Sequence, residues 1–102
     1  MQRGDVWWLE EPTNKRRPVV VLTRQVILDR LSQVTVAAVT THARNLPTEV
    51  ELGIDQGLPR PCVVTLDNVH TIFRGYLTER ITRLDEATMS RICQALRIAV
   101  AC

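Results

Sequence analysis

His42 and His70 are the only imidazoles in this chain, and histidine is the side chain whose charge changes nearest neutral pH, so both are candidate acids or bases. No His-Glu-x-x-His, paired-Asp motif or Gly-rich phosphate loop accompanies them, which argues against metal hydrolysis and nucleoside triphosphate chemistry. A Gly-x-Ser-x-Gly elbow is absent too, so a serine hydrolase has no support. Chemistry must then rest on Arg, Thr, His or isolated carboxylates. Twelve of the 13 basic residues are Arg, whose planar, permanently charged fork matches phosphate oxygens in pairs, although GC-rich coding produces the same bias.

The bulk numbers bound the function class. The 102 residues suit one domain, 1–102, and are too few for two independent cores. A formal charge of +2 and a pI near 8.7 permit a polyanionic partner without requiring one. Cys62, Cys93 and Cys102 are odd in number and contain no Cys-x-x-Cys pair, so neither a disulfide framework nor a zinc site is expected, and a reducing cytoplasm fits best. The opening Met-Gln-Arg-Gly-Asp lacks the apolar stretch of a signal peptide. The longest apolar runs, Val19 to Leu22 and Val36 to Val39, fall far below the ~20 residues of a membrane helix.

The elements that position these residues read as mainly β. Asp5 to Leu9, aromatic and β-branched after Gly4, predicts a first strand. Pro18 to Thr23 predicts a second, and its unbroken Val run predicts burial on both faces and a central place. A short helical turn over residues 24–31 and a strand over 34–41 follow, then a half-wet strand over 48–52. Gly53, Gly57, Pro59 and Pro61 make a loop, residues 62–66 and 68–73 two short strands, and Gly75 a bend. Asp85 is a natural N-cap, Leu84 and Met89 form a hydrophobic staple, and Met89, Ile92, Cys93, Leu96 and Val100 recur at helical spacing. Five or six strands closed by one helix predict a small, partly open barrel.

Four segments stand in register with a known family: Gly4-Asp5-Val6-Trp7, Arg17-Pro18-Val19-Val20-Val21-Leu22, Val36-Ala37-Ala38-Val39-Thr40-Thr41 and Asp67-Asn68-Val69-His70-Thr71-Ile72. In that order and spacing the chain resembles the MazF/PemK toxins of type II toxin-antitoxin systems. The resemblance implies an SH3-like barrel with a C-terminal helix, forming a homodimer. It further implies cleavage of single-stranded RNA without metal or other cofactor, leaving a 2′,3′-cyclic phosphate and a 5′-hydroxyl. Inhibition by a cognate MazE-like antitoxin with an acidic disordered tail is also implied. In the family the Arg of Arg-Pro and the first Thr of the Thr pair are catalytic, which carries over to Arg17 and Thr40.

Elementary chemistry agrees with that transfer. Attack by a neighbouring 2′-hydroxyl needs two proton transfers and stabilisation of charge on the phosphorane oxygens. Arg17 offers a fork of donors, and Pro18 restricts residue 17 to extended backbone, which fixes where that fork points. A hydroxyl at Thr40 donates without bringing a counter-charge. The proton acceptor stays open between His42 and His70, either of which is otherwise a structural or merely exposed histidine. Lys15, Arg16, Thr41, Arg44 and Arg74 are candidates for the RNA track, against the plainer reading of solvated surface. Trp7 and Trp8 are candidate base-stacking rings, but neighbours on a strand face opposite ways, so at least one belongs to the core.

The chain also departs from the family. Between Trp8 and Arg17 it has only Leu-Glu-Glu-Pro-Thr-Asn-Lys-Arg where a longer, Gly-containing loop is usual. Ala38, Asn68 and His70 replace the more common Pro, Gln and Arg or Lys. A gyrase-poisoning toxin of the same fold is the alternative activity, disfavoured because its C-terminal Trp-Gly-Ile is here Val100-Ala101-Cys102. A further alternative is an inactive barrel that only binds RNA or a partner.

Overall fold

The computed structural model describes residues 1–102. In chain order it contains β1 (Asp5–Leu9), β2 (Arg17–Val21), the short helix α1 (Gln25–Leu28), β3 (Gln33–Thr40), β4 (Glu49–Leu52), β5 (Cys62–Phe73), β6 (Leu77–Arg83) and α2 (Glu86–Val100). The strands form one antiparallel sheet in the order β4-β5-β3-β2-β1-β6. Its two edges, β4 and β6, do not pair, so the expected barrel is open. Residues 53–61 approach β6 from the β4 side. Gly57 sits at φ +92°, and a Cβ there would collide with the Thr82 side chain of β6.

The Val run of β2 is buried throughout and feeds two cores because successive strand residues face opposite ways. Val20 joins Val6, Ala37, Val39 and Val64 beneath α2, whose Met89, Ile92 and Ala95 complete that core. Val19 and Val21 join Leu9, Val34, Val36 and Ile72 on the other face, under Leu28 of α1. Asp85 caps α2 by accepting from the Thr88 N–H at 2.8 Å, and hydrogen bonding from the Thr88 side chain, then from its backbone, holds the Asp85 carboxyl below the ordinary carboxylate range. Leu84 and Met89 are both buried in the core under the helix, as a staple requires. Val100 is exposed, so the apolar stripe ends one residue earlier, at the partly buried Ala99.

Several boundaries differ from the sequence expectations. Strand two begins at Arg17 and ends at Val21, and the expected helical segment over 24–31 shrinks to one turn. Strand three ends at Thr40, leaving Thr41 outside it. The two strands expected over 62–66 and 68–73 are one strand with an interruption: Ala37 pairs with Val69 but Ala38 with Thr65. Leu66, Asp67 and Asn68 therefore bulge away from β3, which re-aims their side chains. The sequence predicts no strand over β6, because Thr-Glu-Arg-Ile-Thr-Arg buries little; its residues gain their place from pairing with β1.

Candidate active site

Arg17 opens β2 and Thr40 closes β3, so both stand at the same end of two neighbouring central strands. The β2–β3 ladder pairs Val21 with Val36, Val20 with Ala37 and Val19 with Ala38. Continued two residues further, that register sets Arg17 opposite Thr40 on the face of Val19 and Ala38. Pro18 has no N–H for the ladder, which frees this end of β2 from further bonding to β3. Both residues are half-buried.

Two clefts meet at this pair. The larger, of about 710 Å³, is lined by Lys15, Arg16, Arg17, Thr40, His42 and Arg44, with Glu49, Thr65, Asp67 and Asn68 across from them. The smaller, of about 350 Å³, lies toward the sheet opening between Trp8, Pro18, Val39, Leu58, Pro59, Arg60 and Ile81, and it also touches Arg16, Arg17, Thr40 and Thr41. Arg17 and Thr40 thus form a saddle between a charged cleft and a more apolar one.

The charges of the larger cleft are unevenly committed. The single ion pair of the structure is Arg83 with Asp5, so Lys15, Arg16, Arg17 and Arg44 have no carboxylate partner. The two acidic residues are occupied: Glu49 accepts from the Arg44 and Leu46 backbone N–H groups at 2.9 and 3.4 Å, and Asp67 accepts from the Thr48 hydroxyl. Four cations without carboxylate partners, facing two hydrogen-bonded carboxylates, leave a net positive cleft suited to an anion.

Thr40 is oriented from within its own chain. Its Oγ1 accepts from the His42 backbone N–H at 3.1 Å. With that lone pair engaged, the hydroxyl proton is free to point outward, so Thr40 can donate into the cleft.

The remaining expected residues divide. His42, Thr41, Lys15, Arg16 and Arg44 line one cleft or the other. His70 lines neither: it is half-buried in β5 opposite Val36. Arg74 is also elsewhere. Its guanidinium donates to the Leu31 carbonyl at 3.1 Å and to the Leu28 carbonyl, and it lies 3.7 Å from Met1 Sδ, tying the end of α1 to the turn after β5. Residues not anticipated are Glu49, Thr65, Asp67 and Asn68 in the larger cleft and Leu58, Pro59, Arg60, Cys62 and Ile81 in the smaller. The break in strand pattern at Asp67 was a signal of the bulge, but its direction is invisible in sequence. Burial pushes the Cys62 thiol up, so it meets the smaller cleft as a neutral group. No group of three or more His, Cys, Asp or Glu side chains is arranged to hold a metal ion.

Residues 2–100 match the family described as PemK-like, MazF-like toxin of type II toxin-antitoxin system. This chain belongs to the MazF/PemK toxin family. Among MazF/PemK relatives, the probable endoribonuclease MazF2 of Mycobacterium tuberculosis (strain H37Rv) is 42% identical over 103 residues, covering 100% of both chains. The solved Mycobacterium tuberculosis toxin MazF-mt6 superposes with a TM-score of 0.88 at 35% identity, covering 95% of this chain and 96% of that one. An endoribonuclease solved in complex with its cognate antitoxin from a mycobacterial species gives 0.89 at 25% identity, covering 99% and 95%. In this MazF/PemK member the connection from β1 to β2 is residues 10–16, closed by a turn in which the Asn14 N–H donates to the Glu11 carbonyl at 3.3 Å. That short link delivers Lys15 and Arg16 directly to the cleft rim.

Proposed function

We propose that this MazF-like toxin is an endoribonuclease that cuts single-stranded RNA at the Arg17–Thr40 saddle, without a metal, and thereby arrests translation and growth. The observation that carries the reading is an uncommitted guanidinium opposite a hydroxyl already oriented by the His42 N–H, within a cleft of unpaired cations. The 2′-hydroxyl attacks the adjacent phosphorus, the P–O5′ bond breaks, and a 2′,3′-cyclic phosphate and a 5′-hydroxyl result. Arg17 and Thr40 donate to the non-bridging oxygens, where negative charge grows in the transition state. Arg17 keeps its proton and acts by charge stabilisation, through hydrogen bonds to the developing phosphorane, while the proton lost by the 2′-hydroxyl is balanced by one gained by the leaving 5′-oxygen. Of the two histidines, His42 lines the cleft and is the candidate for moving the 2′-hydroxyl proton.

The same cleft favours an acidic, disordered antitoxin tail, which would compete with RNA for Lys15, Arg16 and Arg44. The toxin works in the cytoplasm as a homodimer; its three free cysteines suit a reducing compartment, and no helix is long and apolar enough to cross a membrane. The test is to incubate purified protein with a long RNA in EDTA and label the products directly with polynucleotide kinase. Labelled 5′-hydroxyl ends are expected. Intact RNA, or cutting only after metal is added, overturns the proposal.

A further inference from the structure

The smaller cleft has a feature that phosphate chemistry leaves unused. Of the rings lining either cleft, Trp8 is the only indole, and no phenyl ring joins it. Trp7 is committed elsewhere: its Nε1–H donates to Asp5 Oδ2 at 3.3 Å and its ring packs against the Leu9 and Val19 core. Phe73 and Tyr76 meet edge to face at 5.4 Å, beyond both clefts. Trp8 is half-buried, paired with Pro18, and covered by the Arg16 guanidinium 3.9 Å from its ring centre. Pro59, Leu58 and Ile81 supply apolar walls, and Arg17 and Thr40 stand at the boundary with the charged cleft.

We infer that Trp8 is the stacking platform for an RNA base next to the scissile phosphate, and that Arg16 is its removable cover. The ligand's identity as RNA rests on the ribonuclease reading above; the platform itself rests on the cleft. A volume of about 350 Å³ is at the lower end of ligand pockets, which run from about 300 to 1,000 Å³, and so suits one planar group rather than a folded element. The covering cation is itself exposed, unlike a residue locked in a core. When a base takes the ring face, π-stacking replaces the cation–π contact, and the guanidinium is released beside Arg17, where the phosphate chain passes. Base and backbone are thus read on opposite sides of the saddle.

Binding rather than cutting tests this, with probes that need no known cleavage sequence. Eight-nucleotide 2′-O-methylated oligouridylate and oligoadenylate are compared with a fully abasic strand of the same length and charge. Trp8→Ala is expected to weaken binding of the base-bearing strands roughly 5- to 150-fold while leaving the abasic strand within about twofold. Trp8→Phe, which keeps an aromatic face, is expected to restore most of the loss. Wild-type tryptophan fluorescence should change with the base-bearing strands and not with the abasic one, a readout independent of whether the alanine variant folds. Equal losses on all strands, or fluorescence blind to the bases, overturn the assignment. Failure of the wild type to cut RNA overturns the ribonuclease reading instead, and the binding result stands apart from it.

Discussion

Arg17 lies across from Thr40 in the continued β2–β3 register, so a fixed charge and an oriented hydroxyl share one face of two central strands rather than two mobile loops. Strand-borne groups are held more rigidly than loop-borne ones, which is what charge stabilisation without reorganisation requires. Arg17→Ala and Thr40→Val are each expected to lower kcat by about 10²–10³-fold, the usual effect of removing one such donor. Thr40→Ser should keep most activity. Single-turnover cleavage with matched circular dichroism checks this, and an Arg17→Ala enzyme of full activity would refute the site.

His42 and His70 should separate in the same assay. His42 lines the larger cleft, whereas His70 faces its strand partner Val36 away from both clefts. His42→Ala is expected to slow cleavage by about 10²-fold or more, as loss of an acid or base does. His70→Ala should leave the rate close to wild type. The reverse pattern would transfer the role to His70.

The cations divide in a similar way. Lys15, Arg16 and Arg44 face the cleft without carboxylate partners, so each alanine variant should weaken RNA binding and reduce the slope of log K against log salt by about 0.7. Arg74 instead satisfies carbonyls of Leu28 and Leu31. Arg74→Ala should cost roughly 1–3 kcal/mol of stability with the salt slope unchanged. Titrations at several salt concentrations, paired with urea unfolding, decide between the two behaviours.

Asp5 gives a pH signature. Its side chain is 1% exposed, and although burial pushes the carboxyl up, bonds from Arg83 Nε at 2.9 Å, the Gln2 N–H and Trp7 Nε1–H hold it below the ordinary carboxylate range. A depressed folded pKa stabilises the fold above the unfolded value of about 3.9, and that stability disappears as pH falls through the lower folded value. Asp5→Asn should therefore be less stable than wild type at pH 7, with the gap closing below about pH 4. A gap constant with pH, measured by urea unfolding, would count against this account.

Gly57 holds the segment that reaches from β4 toward β6. Gly57→Ala meets both a left-handed φ of +92° and the Thr82 side chain, so it should cost at least about 1–2 kcal/mol from the backbone alone. Thr82→Ala should relieve only the collision. Thermal unfolding of the two variants and their combination checks the split.

Much of this molecule was written locally. The two-faced Val run of β2, the Asp85 cap, the Leu84–Met89 staple and the extended backbone forced on Arg17 by Pro18 depend on neighbours within a few residues, and each is legible from residue type and spacing. The four family segments named Arg17 and Thr40 without any geometry. What only the tertiary structure decided depends on registers between distant strands. The Ala37/Ala38 slip swings Asp67 and Asn68 toward the cleft. The pairing of β6 gives a polar, weakly patterned segment its strand, and the approach of residues 53–61 to β6 walls the smaller cleft. Trp7 and Trp8, adjacent and chemically identical, part company for the same reason: the pleat sends one to a core and a hydrogen bond with Asp5, the other to the mouth of the sheet beside Arg17.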